Sequence, residues 1–496
     1  MVQPRFSIRV GVVLTALAIL SGACSSSTPK SEDLAQKPAG SEQPTTDATG
    51  DAVAPGDPAA DPAAVAAEAP GAAPAPISGA GAPAKADSAV AKGGSGTSSV
   101  GGQGGTAQPI REANLYSGAA NTTGITKDLI RLCAHAALTF AQAFDIRPED
   151  LNVYWENVNS QGGIYGRKVE VTYEDDAYRP DQAVTAAETC KSKDIFFLLG
   201  GIGFDQIPAV RTWAEANKML YFHHMAVEAG LKGKQYSFSG MPSVDNVGRA
   251  FGEFIGSKYK GKKVGIIWRR SENWEPGYRA GKALLDKAGI QVVADLPVSQ
   301  NQAVYTQELV ALRDRGAEVV WIWENALAAA EIIQQAKNQA YKPTKWVLFP
   351  FQTTLDVVGN EPIDGIAAWS AFTPGGYGNA YAEHGYKDEI ARFEAAYAKF
   401  RPGIKTNDIL WQVWVGNKAI HDLFERCGAN CGRNRMAGIM LSGFKATVPP
   451  NCAVDYTRPN SFDGHLGGHA FFTMESFAKG GGAAFRTTRW CAEHLN

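Results

Sequence analysis

From Gly124 onward, apolar and polar positions switch back and forth between two periods. Ile130, Leu132 and the run to Leu138 read as a buried strand. Pro148, Glu149 and Asp150 then open a helix whose Leu151, Tyr154, Trp155 and Val158 fall at i, i+3, i+4 and i+7. Val169, Val171 and Tyr173 take up a period of two among polar neighbours, a strand that runs into Asp175 and Asp176. Pro180 starts the next helix, with Asp181 placed for the dipole and Ala183, Val184, Ala187 and Cys190 on one face. Ile195 to Leu199 is a short apolar strand closed by Gly200 and Gly201; Ile207, Val210 and Trp213 mark a helix, and Met219 to Phe222 a fourth strand.

The pattern then repeats. Val247, Phe251, Phe254 and Ile255 form a helical stripe; Lys263 to Trp268, Gln291 to Leu296, Val319 to Trp323 and Trp346 to Phe349 read as strands. Helices fall between them at Tyr278 to Ala288, around Leu309 and Leu312, and at Leu327 to Ala336, and two more follow at Asp388 to Phe400 and Leu410 to Arg426. Strict alternation of strand and helix is the mark of parallel sheets covered on both faces, so the fold class is α/β, and two such runs in tandem imply a bilobed molecule.

The stretch Asn159 to Glu188, NSQGGIYGRKVEVTYEDDAYRPDQAVTAAE, joins a glycine turn, a strand, an acidic pair and a proline-led helix in one run. It resembles the corresponding segment of the type I periplasmic solute-binding proteins, the family of the branched-chain amino acid receptors of ABC transporters. The resemblance extends from Gly124 to about Phe424 and fades beyond Cys427. It implies two doubly wound lobes joined by a hinge that the chain crosses three times. Lobe one would hold 116–239 and 352–450, and lobe two 240–351 and 451–496. It also implies a small-molecule ligand in the crevice between the lobes, at the carboxyl ends of the strands, and a membrane permease of the ABC type as partner.

In that family the ligand's carboxylate and amine are gripped by a hydroxyl, a small residue, a Thr, two Tyr and a Glu. The resemblance places Phe204 at the hydroxyl with Gly203 before it, His224 at the small residue, Ala226 at the Thr and Trp274 at the first Tyr. Asn325 falls near the second Tyr, and Phe351 or Gln352 near the Glu. An ammonium without a carboxylate is costly to bury, so these departures argue against a standard α-amino acid. Phe140, Phe144, Phe204, Trp274 and Trp323 point instead to an apolar or ring-shaped body, with the helix start near Gln206 able to hold a carboxylate or other acceptor. Other residues read more plainly. One of Trp321 and Trp323 is core, with Trp323 the candidate for the cleft; His223 and His224 point to opposite sides of a strand, which argues against joint metal ligation by the two, and His224 is the preferred ligand donor. Arg269 and Arg270 read as a solvated strand end, Asp175 and Asp176 as structural, and His465 and His469 as surface.

Ahead of Gly124 the chain changes character. Arg5 and Arg9 precede an apolar run from Val10 to Leu20, and LSGAC ends at Cys24. This resembles a signal peptide with a lipobox over 1–24, whose Cys24 would carry lipid and anchor the protein to the membrane outside the cytoplasm. Residues 25–115 are rich in Ala, Pro and Gly with hardly an aromatic, a composition that reads as a disordered tether with a reach of about 50 Å. The other six cysteines, Cys133, Cys190, Cys427, Cys431, Cys452 and Cys491, form an even set that suggests three disulfides. Connectivity is left open by the sequence; the arrangement taken as the expectation pairs them in that order. A net charge of −2 and the absence of a basic stripe argue against nucleic acid as a partner. No GxSxG or GxxxxGK[ST] motif occurs, and GGIGFD at Gly200 lacks the third glycine of a dinucleotide fingerprint, so neither an enzyme nor a cofactor is expected. A tethered sensor module is the alternative to a transport receptor, with a secreted hydrolase behind it.

Overall fold

The computed structural model describes residues 112–223, 228–300, 302–367, 382–448, 455–456, 465–468, 470–479 and 482–493. The chain first builds a parallel sheet from β1 (Leu129–Ala136), β2 (Lys168–Asp175), β3 (Phe197–Gly200), β4 (Tyr221–His223) and β5 (Ser237–Ser239), in the order β2-β1-β3-β4-β5. Helices α1 (Leu138–Gln142), α2 (Val153–Ser160), α3 (Pro180–Ser192), α4 (Ile207–Ala216) and the single turn α5 (Glu228–Leu231) connect these strands. Leu138, expected at the end of the first strand, instead opens α1. The Asp175 carboxylate accepts the Leu138 and Thr139 amides at 2.9 and 3.3 Å, which satisfies two free donors of a helix start and turns the chain there.

After α6 (Val244–Lys258) comes the second sheet, with parallel strands β6 (Lys263–Arg269), β7 (Gln291–Val298), β8 (Val319–Trp323), β9 (Lys345–Leu348) and β10 (Ile363–Ala367). Their order, β7-β6-β8-β9-β10, repeats that of the first sheet. Helices α7 (Glu275–Lys287), α8 (Thr306–Asp314), α9 (Ala326–Asn338) and α10 (Gln352–Val358) alternate with them. A return of the chain at Gln352 was expected, but α10 and β10 stay with the second sheet, where Ile363 pairs with Trp346. IDGIA is too short and irregular to announce a strand. Gly365 lies where a Cβ would sit 1.8 Å from the Leu348 carbonyl oxygen, and the buried Asp364 carboxylate is held by Lys258, Lys345 and the Tyr259 hydroxyl.

The chain then returns to the first sheet with α11 (Lys387–Phe400), α12 (Asp408–Cys427) and α13 (Arg433–Leu441). The Trp414 ring on α12 meets Tyr154 of α2 edge-on at 4.8 Å, and the Arg433 guanidinium donates to the Ile195 and Phe196 carbonyls at 2.6 and 3.0 Å. Residues past 451 do not go straight to the second half. Ser239 of β5 donates to the His465 carbonyl at 2.9 Å and accepts from the Gly467 amide at 2.7 Å. His465, expected at the surface, is buried, stacked 4.3 Å from Phe238, with Nδ1 2.8 Å from the Ser237 carbonyl; His469 lies outside the described residues. Only then do β11 (Ala470–Lys479) and β12 (Gly482–Glu493) extend the second sheet as an antiparallel pair on the edge of β10.

The core of the second half explains the two tryptophans of β8. Trp321 and Trp323 are both fully buried and both pack against Phe251 of α6, so neither faces a cleft. They fit because α6 and α7 touch through glycine. A Cβ on Gly248 would lie 1.8 Å from the Gly277 carbonyl oxygen, and one on Gly281 would lie 2.6 Å from the Trp321 ring.

Two disulfides stitch the first half: Cys133 of β1 to Cys190 of α3, and Cys427 at the end of α12 to Cys431. Cys452 and the Cys491 side chain lie outside the described residues.

Candidate functional site

In each sheet the strand order reverses beside its first strand, and a crevice opens where the loops leave there in opposite directions. The loops after β3 and β2 in the first sheet touch those after β6 and β7 in the second. Asn273 Nδ2 donates to the Phe204 carbonyl at 3.0 Å, Ser271 Oγ to Asp205 Oδ1 at 2.8 Å, and Gln300 Nε2 to the Tyr178 carbonyl at 3.1 Å.

At the centre of this seam lies Arg269, the last residue of β6. Its Nη1 is 2.5 Å from Asp205 Oδ2 and its Nε is 2.9 Å from both Glu324 oxygens, with all three side chains buried. Burial works against the guanidinium's charge, but Glu324 and Asp205 outweigh it and raise its pKa above the ordinary range. Burial raises the Glu324 pKa, against the pull of Arg269. Reading Arg269 as a solvated strand end was therefore wrong; only its neighbour Arg270 is exposed. Charge at a strand end cannot tell solvent from a facing loop, and Asp205 in GFDQ was the missed signal.

Beside the seam is a cavity of 50 Å³, counted as room for the centres of water molecules, walled by Phe140, Tyr178, Phe204, Trp274, Phe349 and Phe351. Trp274 stands just before α7, 5.8 Å from Phe204 and edge-on to it, and Phe144 supports Phe140 from behind at 5.4 Å. Gly203 and Asn325 also line the cavity. Gly203 has φ 116°, and a Cβ there would strike the Gln206 side-chain amide at 2.2 Å. Asn325 spends its side-chain oxygen on the Ala328 amide, capping α9 at 2.9 Å.

Other expected positions fall elsewhere. Trp323 Nε1 donates to the Trp274 carbonyl at 2.7 Å, so it supports the wall from the core. Gln352 is turned away: its amide donates to Asp408 at 2.8 Å and its side chain to Asp356 and the Ala483 carbonyl, leaving Phe351 on the wall. His224 and Ala226 lie outside the described residues. Their neighbour His223 lines a second cavity, of 60 Å³, beneath α12, and that cavity shares Ile202, Gln412 and Val413 with the aromatic one.

Tyr178 was missed, although its loop carries the acidic pair. Ala177 and Tyr178 have φ values of 47° and 63°, a strained pair held because their amides donate to Asp175 Oδ1 and Asp176 Oδ1, both at 2.9 Å. Asp176 also accepts from Gln206 Nε2 at 2.8 Å and contacts His135 Nδ1 at 2.9 Å, while His135 Nε2 meets the Tyr221 hydroxyl at 2.7 Å. The acidic pair is structural, and what it positions is the site. Burial, with the nearby Asp205 charge, pushes the Tyr178 pKa well up, so its hydroxyl stays a neutral donor.

Trp274 Nε1, buried on the aromatic wall, has no hydrogen-bond partner among the described residues. No charged residue stands among the described residues of that wall. Among the described residues no group of three or more His, Cys, Asp or Glu is placed to hold a metal ion.

The family model for periplasmic binding proteins matches residues 151–459. The chain belongs to the periplasmic binding protein family. This binding protein is 28% identical over 316 residues to a Leu/Ile/Val-binding protein homolog of Brucella abortus, covering 60% of the chain and 74% of that relative. It is 26% identical over 193 residues to an amino acid binding protein of Pseudomonas aeruginosa, covering 37% of the chain and only 50% of that relative. Among solved structures it is similar to a fatty acid ABC transporter substrate-binding protein from Thermomonospora curvata, with a TM-score of 0.61 and 18% identity over 75% of this chain and 95% of that one. The fold is that of the type I periplasmic binding proteins.

Proposed function

We propose that the protein is an extracytoplasmic receptor, tethered to the membrane through a lipid on Cys24, that closes on a small, uncharged, largely apolar molecule and presents it to an ABC permease. The observation that carries the ligand class is Trp274 Nε1, a buried donor in an aromatic cavity without a partner among the described residues. An unpaired buried donor costs about 1 to 3 kcal/mol, and an acceptor on the ligand recovers it. Arg269 beside the cavity is already paired with Asp205 and Glu324, so its guanidinium is not free for a ligand. Among the described residues of the wall a carboxylate would meet no cation and an ammonium no anion. This narrows the ligand from carboxylate or amide to an amide, ketone or similar neutral acceptor.

The seam supports closure as the mode of action. Residues from both sheets wall the cavity, so a ligand gains its full contact set only when the two halves meet, and binding favours the closed form by the worth of those contacts. A thermal-shift screen of the purified protein against amino acids, carboxylates and neutral amides tests the reading. A neutral ligand at a hundred times its Kd should add about 2.7 kcal/mol. Stabilisation by leucine or a relative, with none by neutral acceptors, would sink it. Loss of membrane association on Cys24→Ala is the expected outcome for the anchor, and co-purification of a permease for delivery.

A further inference from the structure

The proposed ligand site has a second room. Helix α12 presents one stripe to both cavities: Ile409, Gln412 and Val413 face the aromatic one, and Gln412, Val413, Gly416, Asn417 and Ile420 the inner one. The two are therefore separated by a wall one side chain thick. The inner cavity runs under α12 to the ends of β3 and β4 and is bounded by Leu199, Phe222, Met241 and Ile420. Two polar groups on its wall are turned to the backbone, the Tyr173 hydroxyl donating to the Leu151 carbonyl at 3.2 Å and Asn417 Nδ2 to the same oxygen at 3.4 Å, while His223 and Gln412 are the other polar side chains that line it.

Gly416 is the independent sign that this space is kept open. It sits in the middle of a twenty-residue helix, where glycine is unfavourable relative to alanine, and a Cβ built on it meets nothing within 4 Å. The glycines of α6 and α7 are required by close backbones; this one is required by no contact among the described residues.

We infer that the ligand is a chain molecule, with a neutral acceptor head at Trp274 and an aliphatic tail that passes Gln412 and Val413 into the inner cavity over Gly416. The head rests on the function proposed above; the tail rests on α12 alone.

The test is a titration of the whole protein with two homologous series, straight-chain primary amides from butanamide to decanamide and the matching carboxylates. Wild type and Gly416→Leu are compared, with Gly416→Ala as the folding control. Wild-type affinity for the amides should rise about fourfold per methylene, the value for burying one such group, until the inner cavity is full. In Gly416→Leu, whose side chain occupies the tail space, that rise should stop at a shorter chain. If carboxylates alone bind, with the same length dependence and the same block, the tail stands and the neutral head falls. Amides that bind with no dependence on length, or with a rise that Gly416→Leu leaves intact, overturn the tail and spare the head. Should no member of either series bind, both are overturned.

Discussion

Two regions meet between the sheets, and the same loops build both. The seam of Arg269, Asp205, Glu324, Ser271 and Asn273 is charged, and its ionic groups are paired with one another. The neighbouring aromatic cavity has no charged residue among the described residues of its wall and leaves the Trp274 Nε1 donor without a partner among them. The difference separates two tasks. Ion pairs buried in a seam gain little over apolar packing but are costly to mispair, so they fix how the halves dock. Unpaired donors in an apolar wall are costly until something binds, so they decide what is held.

The comparison breaks most sharply at Arg269. Arg269→Met leaves Asp205 and Glu324 buried without a cation and should cost about 3 to 5 kcal/mol in chemical denaturation. Adding Asp205→Asn and Glu324→Gln should recover most of that loss; no recovery would mean that Arg269 acts through packing rather than charge.

Asp408 at the start of α12 offers the next largest effect. Burial raises its pKa to about 7, against the Gln352 and Thr353 amides that favour its charge. The folded protein then binds a proton that the unfolded chain gives up near pH 4. Stability from this group is full below that pH and is lost as pH rises toward 7, by at most about 4 kcal/mol. Asp408→Asn should flatten that fall, as read from denaturation at pH 5 and pH 8; an unaltered difference would show that the two helix starts meeting there keep the carboxylate charged.

Trp274→Phe keeps a ring and deletes the donor. Ligand affinity should drop by about 1 to 2 kcal/mol while stability without ligand stays level or rises, and a large loss of stability with unchanged affinity would move Trp274 from the site to the core. The smallest effect belongs to Gly416→Ala, which should raise stability by about 1 kcal/mol, seen as a higher Tm. A lower Tm would mean that the space at Gly416 is not open.

Most of the strands and helices were legible because each carries its own period. Lys263 to Trp268 and Val319 to Trp323 are largely apolar runs between helical stripes, and no distant residue is needed to read them. β10 was not legible, because Asp364 and Gly365 break its pattern, and the partners that hold Asp364, Lys258, Tyr259 and Lys345, and the Leu348 carbonyl that requires Gly365 lie elsewhere in the sequence. The site divides in the same way. Phe204, Gly203, Trp274, Asn325 and Phe140 follow strand ends, so spacing brings them to the wall. Tyr178 reaches it through a left-handed turn, and Gln412 and Val413 reach it through a helix returning from elsewhere, neither of which spacing can reveal. Trp323 shows the converse error. A tryptophan at a strand end suggested the cleft, whereas glycines on α6 and α7 had made room for it in the core.

The antiparallel pair β11 and β12 closes the second sheet from far along the chain, with Glu475 joining Asp364 of β10. On a ribosome or at a translocation pore, a nascent chain that has emerged only through α13 carries β10 with one side unpaired, an open template for another chain. The second sheet can thus be completed only once β11 and β12 have emerged, after all the helices of the first half.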